Sequence, residues 1–347
     1  MRPAPTLVPL PVVPRPGADE RISSWLGRLA QFYSIPVDAF LACCGLGGSS
    51  IRELEWRLGA AEGASLASRT GMTVEGLSML TFEEIVPTAR LMIATHSRYV
   101  CPRCLAGVHR KASALPWNFR CREHGVRFED KGGSRLDMLL TSTQLSMLDD
   151  RVRIGRMRLI RWARGRDEEV PSVSDLLDLL TSRHRKPSPP SLDEQPILSI
   201  SARRANHEFL TRPITRQALV VVVPEYDRVA PLLTKPVRPG LYSLALGSLL
   251  QNYAVVVGLG RLSADPVGYA ALVLSASDRK GEERVREILQ VWPLTLRRRI
   301  YARLRRLRAA RDAGRQASTR VSRSRPQGLQ SHKFRLNQSH NYAPGVS

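Results

Sequence analysis

Apolar residues recur at helical spacing along most of the chain. Ile22, Trp25, Leu26 and Leu29 predict a helix running to about Phe32, with Asp19 and Ser23 offering N-cap oxygens. Ser34-Ile35-Pro36 breaks it, and Pro36 suits the first turn of a second short helix, Val37 to Cys44, stopped by Gly45, Gly47 and Gly48. Two short helices on a tight turn fit a helix-turn-helix, and equally an ordinary αα-hairpin. Further helical patterns cover 51–58, 65–71 and 74–80, the last with Thr73 as N-cap. The periodicity fades at Ser97 and resumes from Leu139 to Arg164. Ala218 to Val223 reads as a strand or a buried helix segment, followed by helices at 241–252, 267–277 and 281–291. In the final pattern, Leu294 to Ala310, a stripe of Leu296, Ile300, Leu304 and Leu307 is set among arginines, which predicts an amphipathic basic helix. No internal repeat is found.

Charge narrows the class. The chain of 347 residues carries 53 Lys and Arg against 31 Asp and Glu, a net charge of +22, and its pI is near 10.9. Such an excess attracts polyanions, nucleic acid foremost. Arginines 151, 153, 156, 158, 161, 164 and 166 fall at many angles around the 139–164 helix, so they cannot share one face; they are a solvated surface or phosphate contacts. From Pro239 to Gly260 no residue is charged, roughly the ~20 residues of a membrane span. Gln251 and Asn252 near its middle, and Gly247, Gly258 and Gly260, favour a buried pair of short elements and a chain with no membrane partner. Six prolines between Pro3 and Pro16 make residues 1–18 an extended arm without the apolar core of a signal peptide. A Pro/Ser-rich linker is expected at 185–196 and a disordered basic tail at 316–347.

All five cysteines lie in the first 121 residues, a clustering that suits a metal site in a reducing cytosol. Cys101-Pro-Arg-Cys104 is followed by Cys121-Arg-Glu-His124, two knuckles at the spacing of a structural zinc site. Three thiolates and an imidazole would close a tetrahedron, with no open position for catalysis. His96 or His109 can substitute for His124, or the thiols stay free; Cys43 and Cys44, being adjacent, are expected as small core residues. The fold class expected is mainly α with a small zinc-ribbon-like β element. An N-terminal helical and zinc-binding domain (19–135) precedes a basic helical segment (136–184) and a helical C-terminal domain (197–315).

Pro14-Arg-Pro-Gly17, Glu20 and Ile22-Ser-Ser-Trp-Leu-Gly-Arg-Leu-Ala30 resemble the opening of TniQ-family transposition proteins. Cys101-Pro-Arg-Cys104-Leu-Ala, Trp117 and Cys121-Arg-Glu-His124-Gly125 resemble that family's metal-binding segment, and the likeness covers about residues 10–130. Asp19-Glu20-Arg21 departs from the usual Glu-Ser pair. Many relatives add a further Cys-Pro-x-Cys, absent here, so one structural zinc is expected. The resemblance implies a non-enzymatic accessory factor in the bacterial cytoplasm, at the nucleoid. Such a factor binds target DNA or a targeting complex and recruits an AAA+ transposition ATPase, with a transposase or CRISPR effector complex as further partners.

The second helix offers few base-reading side chains, since Asp38, Ala39, Phe40 and Leu41 are core-like. Partner contact is therefore expected from Ser23, Ser24, Trp25 and Arg28, and DNA contact from Arg297, Arg298, Arg299, Arg303, Arg305 and Arg306. The alternative is a zinc-stabilised helix-turn-helix transcription regulator acting as a homodimer on a compact operator. Catalysis finds little support: no phosphate-binding Gly-x₄-Gly-Lys-Ser/Thr or His-Glu-x-x-His motif occurs, and the pairs Asp149-Asp150 and Glu282-Glu283 point apart on helices.

Overall fold

The computed structural model describes residues 8–104, 107–133, 135–185, 199, 201, 216–229 and 237–323. The chain divides into two compact units, Met1–Leu304 and Arg305–Ser347.

The first unit is mainly helical. It opens with α1 (Ile22–Phe32), α2 (Val37–Cys43), α3 (Ile51–Trp56), α4 (Ala60–Thr70) and α5 (Val74–Ser78). Their apolar stripes meet in one core around Trp25, Leu26, Leu29, Phe40, Leu54, Leu66 and Leu77. The caps differ in part from expectation. Thr73 does cap α5, accepting from Gly76 N–H at 3.0 Å. The N-cap of α1 is instead Arg21, without a side-chain cap. Asp19 takes a left-handed φ of 57° and spends its carboxylate on Ala112 N–H at 2.8 Å, while Ser23 donates to Glu55. Cys44 is buried as expected, its thiol pushed up to about 11 chiefly by burial, but Cys43 is exposed.

The cysteine-bearing segment contains α6 (Lys111–Ala114) and a two-stranded antiparallel sheet, β1 (Tyr99–Val100) with β2 (Glu129–Asp130). A short helix, α7 (Leu136–Leu139), leads into α8 (Ser142–Ala163) and α9 (Val173–Thr181). Capping boxes open α8 at Thr141 and α9 at Ser172. A second small sheet pairs β3 (Arg183–Arg185) with β4 (Arg216–Gln217), and the linker expected at 185–196 lies, past Arg185, outside the described residues. The ambiguous 218–223 run resolves as a helix, α10 (Ala218–Val222), followed by α11 (Pro224–Val229).

The uncharged stretch yields a one-turn helix, α12 (Tyr242–Ala245), and then a 16-residue helix, α13 (Leu249–Ala264), buried on nearly every side. Among the described residues, no helix is long and apolar enough to cross a membrane. Gly260, expected to interrupt the run, instead lets α13 press its backbone against α8. A Cβ on Gly260 would stand 2.0 Å from Arg151 O, and one on Gly155 2.1 Å from Val256 O. Next come α14 (Pro266–Ala276), capped by Asp265 with Pro266 in its first turn, and α15 (Arg279–Gln290). Last is α16 (Leu294–Arg323), the expected basic helix, which continues through 316–323, where a disordered tail was expected; the rest of that tail, beyond Arg323, lies outside the described residues.

The cysteine-bearing segment is joined to the later helices by buried and half-buried polar and aromatic contacts. Asn252 on α13 donates to Tyr99 Oη at 2.6 Å, and Arg98 donates to Ala245 O at 2.6 Å. Phe119 meets Tyr253 edge to face at 5.1 Å. Asp149 of α8 accepts from Arg127 at 3.1 Å and from Tyr253 Oη at 3.3 Å. The Asn252–Tyr99 contact is buried, so breaking it alone would leave a desolvated partner behind. Together these contacts hold the segment that carries the metal ligands in one orientation on the helices.

Candidate metal centre

Each cysteine knuckle is a tight turn drawn by its own backbone. Cys104 N–H returns to Cys101 O at 3.2 Å, and Gly125 N–H to Cys121 O at 3.0 Å. Gly125 sits at φ +64°, which L side chains rarely adopt, and this explains the glycine directly after His124. The chain then returns through Cys121 N–H to Val126 O at 2.9 Å and Phe128 N–H to Phe119 O at 2.9 Å. Two ligands per turn are thereby aimed at one point.

Cys101, Cys104, Cys121 and His124 place their ligand atoms within 4.8 Å of one another. Bonds of ~2.3 Å to sulfur and ~2.0 Å to nitrogen imply tetrahedral edges of about 3.8 Å for S···S and about 3.5 Å for S···N. The observed separations are 3.7 Å for Cys104 Sγ to Cys121 Sγ, and 3.7, 3.4 and 3.6 Å from His124 Nδ1 to Cys101, Cys104 and Cys121. The donor set therefore fits a four-coordinate ion. Burial and the Cys101 and Cys121 sulfurs push Cys104 up to about 12, whereas backbone N–H groups of His124 and Glu123 outweigh burial at Cys121 and hold it at about 7. A cation at the centre would favour the thiolate form of all three cysteines. Neither other histidine competes within the cluster, and His109 Nδ1 is 2.9 Å from Ser97 Oγ.

The domain behind the ligands is built from the residues that depart from the usual Glu-Ser pair. Arg21 is buried, pairs with Glu55 at 2.6 Å, and donates to Ala94 O and Thr95 O at 3.1 and 2.9 Å. Glu20, fully buried, accepts from Gly17 N–H at 2.7 Å, Ser24 at 2.8 Å and Arg28 at 2.7 Å. Burial alone would raise the Glu20 carboxyl, but Arg28 and the other donors hold it below its ordinary value.

Of the residues expected to meet a partner, Trp25 is wholly buried and donates to Pro14 O at 2.8 Å. Ser24 is buried and bridges Glu20 and His109 N–H, Ser23 serves Glu55, and Ser23 and Arg28 are half-buried. The expected DNA-contacting arginines all lie on α16. In the first unit Arg298, Arg299 and Arg303 are exposed and Arg297 is half-buried; in the second, Arg305 and Arg306 are exposed.

Sequence reasoning missed Arg158 as an interior residue. It is buried beside Asp167 at 3.6 Å and donates to Ser263 Oγ at 3.0 Å, although its neighbours on α8 read as one basic run. The acidic Asp167-Glu168-Glu169 that follows was its only signal.

A search of curated proteins finds no match, and a search of solved structures finds none. The family model TniQ matches residues 11–128, a span that ends just after the second knuckle and contains all four ligands. Residues 11–128, about a third of the chain, thus match a TniQ domain.

Proposed function

We propose that this chain is a non-catalytic targeting adaptor in DNA transposition, binding target DNA or a targeting complex and recruiting an AAA+ transposition ATPase. The TniQ match over 11–128 carries the reading. We assign the Cys101/Cys104/Cys121/His124 site one structural zinc ion, because the donor set is closed and sulfur-rich. Bound there, the ion would supply folding free energy to a segment with only short elements of its own.

The exposed arginines of α16 supply phosphate contacts, which give affinity with little sequence information. A recognition helix at α2 is disfavoured: its exposed positions Asp38, Ala39, Ala42 and Cys43 offer one negative charge and no strong donor for base edges. Partner recruitment falls to the outer surface of the TniQ domain. There Ser23, Ser24 and Trp25 set the frame and Arg28 reaches the rim. A cytoplasmic, nucleoid-associated location follows from the same reading.

The test is a pull-down of the full chain with the AAA+ ATPase encoded in the same element, with and without duplex DNA. Retention of the ATPase supports the adaptor. Specific binding to one operator as a dimer, with no ATPase retained, refutes it in favour of a regulator.

A further inference from the structure

Beside the second knuckle, a cleft of about 100 Å³ opens between the TniQ domain and α8. Six charged residues from five segments line it: Asp19 before α1, Glu84 after α5, Lys111 on α6, Arg122 within the knuckle, and Arg156 on α8 with Arg164 at its C-cap. The two carboxylates are already engaged. Asp19 accepts from Ala112 N–H and stands 3.9 Å from Arg122, and Glu84 lies 3.5 Å from Lys111. No ion pair engages Arg156 or Arg164 among the described residues. Arg156 Nε is closed off from solvent without a hydrogen-bond partner, a costly state for a group that is always charged. Burial, and then the facing Arg122, lower its affinity for the proton.

Arg122, Arg156 and Arg164 converge on a half-enclosed cleft, an arrangement that a bound anion would stabilise. We propose that this cleft is a seat for a single phosphoryl group, held by Arg156 and Arg164, from α8 and its C-cap, and by Arg122 from the metal-binding knuckle. The cleft is small, and the guanidinium groups at its wall suit a compact tetrahedral anion. A planar guanidinium with several donors matches phosphate oxygens, which Lys111 at the wall supplements as a point charge. Because Arg122 lies between Cys121 and His124, the seat forms only when the knuckle is folded. The phosphoryl group is either free phosphate or one phosphate of a nucleic-acid backbone.

Calorimetric titration of the metal-loaded full chain with inorganic phosphate, at constant ionic strength, tests the seat without reference to transposition. One saturable phosphate per chain is expected. Arg156→Gln should weaken it by about tenfold or more, as loss of a charged hydrogen bond would. Arg164→Gln, at an exposed position, gives the same direction if Arg156→Gln fails to fold. Arg279→Gln, exposed on α15 and outside the lining of the cleft, should leave phosphate affinity unchanged. In a second arm, the slope of log K against log salt for duplex DNA is compared. A slope smaller by about one in Arg156→Gln identifies a backbone phosphate, whether or not free phosphate binds. Phosphate binding lost with an unchanged slope identifies free phosphate. No saturable phosphate binding together with an unchanged slope overturns the proposal.

Discussion

Gly155 on α8 and Gly260 on α13 face each other so closely that a Cβ on Gly260 would lie 3.1 Å from Gly155 N and 2.0 Å from Arg151 O. The obstacles are backbone atoms, which cannot swing aside as a long side chain can. The two helices must separate to admit even a methyl group. Separation would also pull Asn252 and Tyr253, both on α13, away from Tyr99 and Phe119.

Gly155→Ala or Gly260→Ala should therefore destabilise the chain by about 2 kcal/mol or more, toward the upper end of overpacking costs. Either outweighs the ~1 kcal/mol that alanine gains over glycine in a helix. Chemical denaturation of each variant reads this directly, and unchanged midpoints would mean that the helices do not touch.

Metal content should be about one equivalent per chain by elemental analysis, as expected of one closed four-ligand site. Chelation, or Cys101→Ser or Cys121→Ser, should unfold or expand the TniQ domain, seen as lost near-ultraviolet dichroism. A demetallated chain that melts like the loaded one would contradict a structural ion.

Acid should weaken the TniQ domain through Glu20. Its carboxyl is held below the ordinary value of 4.5 in the folded chain, so its contribution is complete above that value and is lost as pH falls through the folded value. Glu20→Gln should be less stable than the wild type at neutral pH, with the two curves converging in acid. A difference that stays constant across that range would show that the Glu20 charge is not the cause.

Charge reversal on α16, Arg303→Glu with Arg305→Glu, should weaken binding to unrelated duplexes alike and flatten its salt dependence. A full salt slope in the double variant would exclude these two arginines as phosphate contacts. Because both side chains are exposed, the variant should melt near the wild-type temperature, which separates lost contact from lost fold.

The amino-acid sequence by itself determined whatever depends on neighbours along the chain. The knuckle spacing, the Thr73 cap and the stripe of α16 were legible because each requires only a few residues in register. The tertiary structure alone decided which groups the fold encloses. Arg158 reads like the arginines around it, yet its partners Asp167 and Ser263 come from a loop and from another helix. Ser23 and Trp25 look available on an amphipathic helix, yet Glu55 and Pro14 engage them. Gly260 reads as an interruption until Gly155, more than a hundred residues earlier, is placed against it. Periodicity reports one element's own face, whereas burial and pairing are set by the element that covers it, and that choice is encoded nowhere locally.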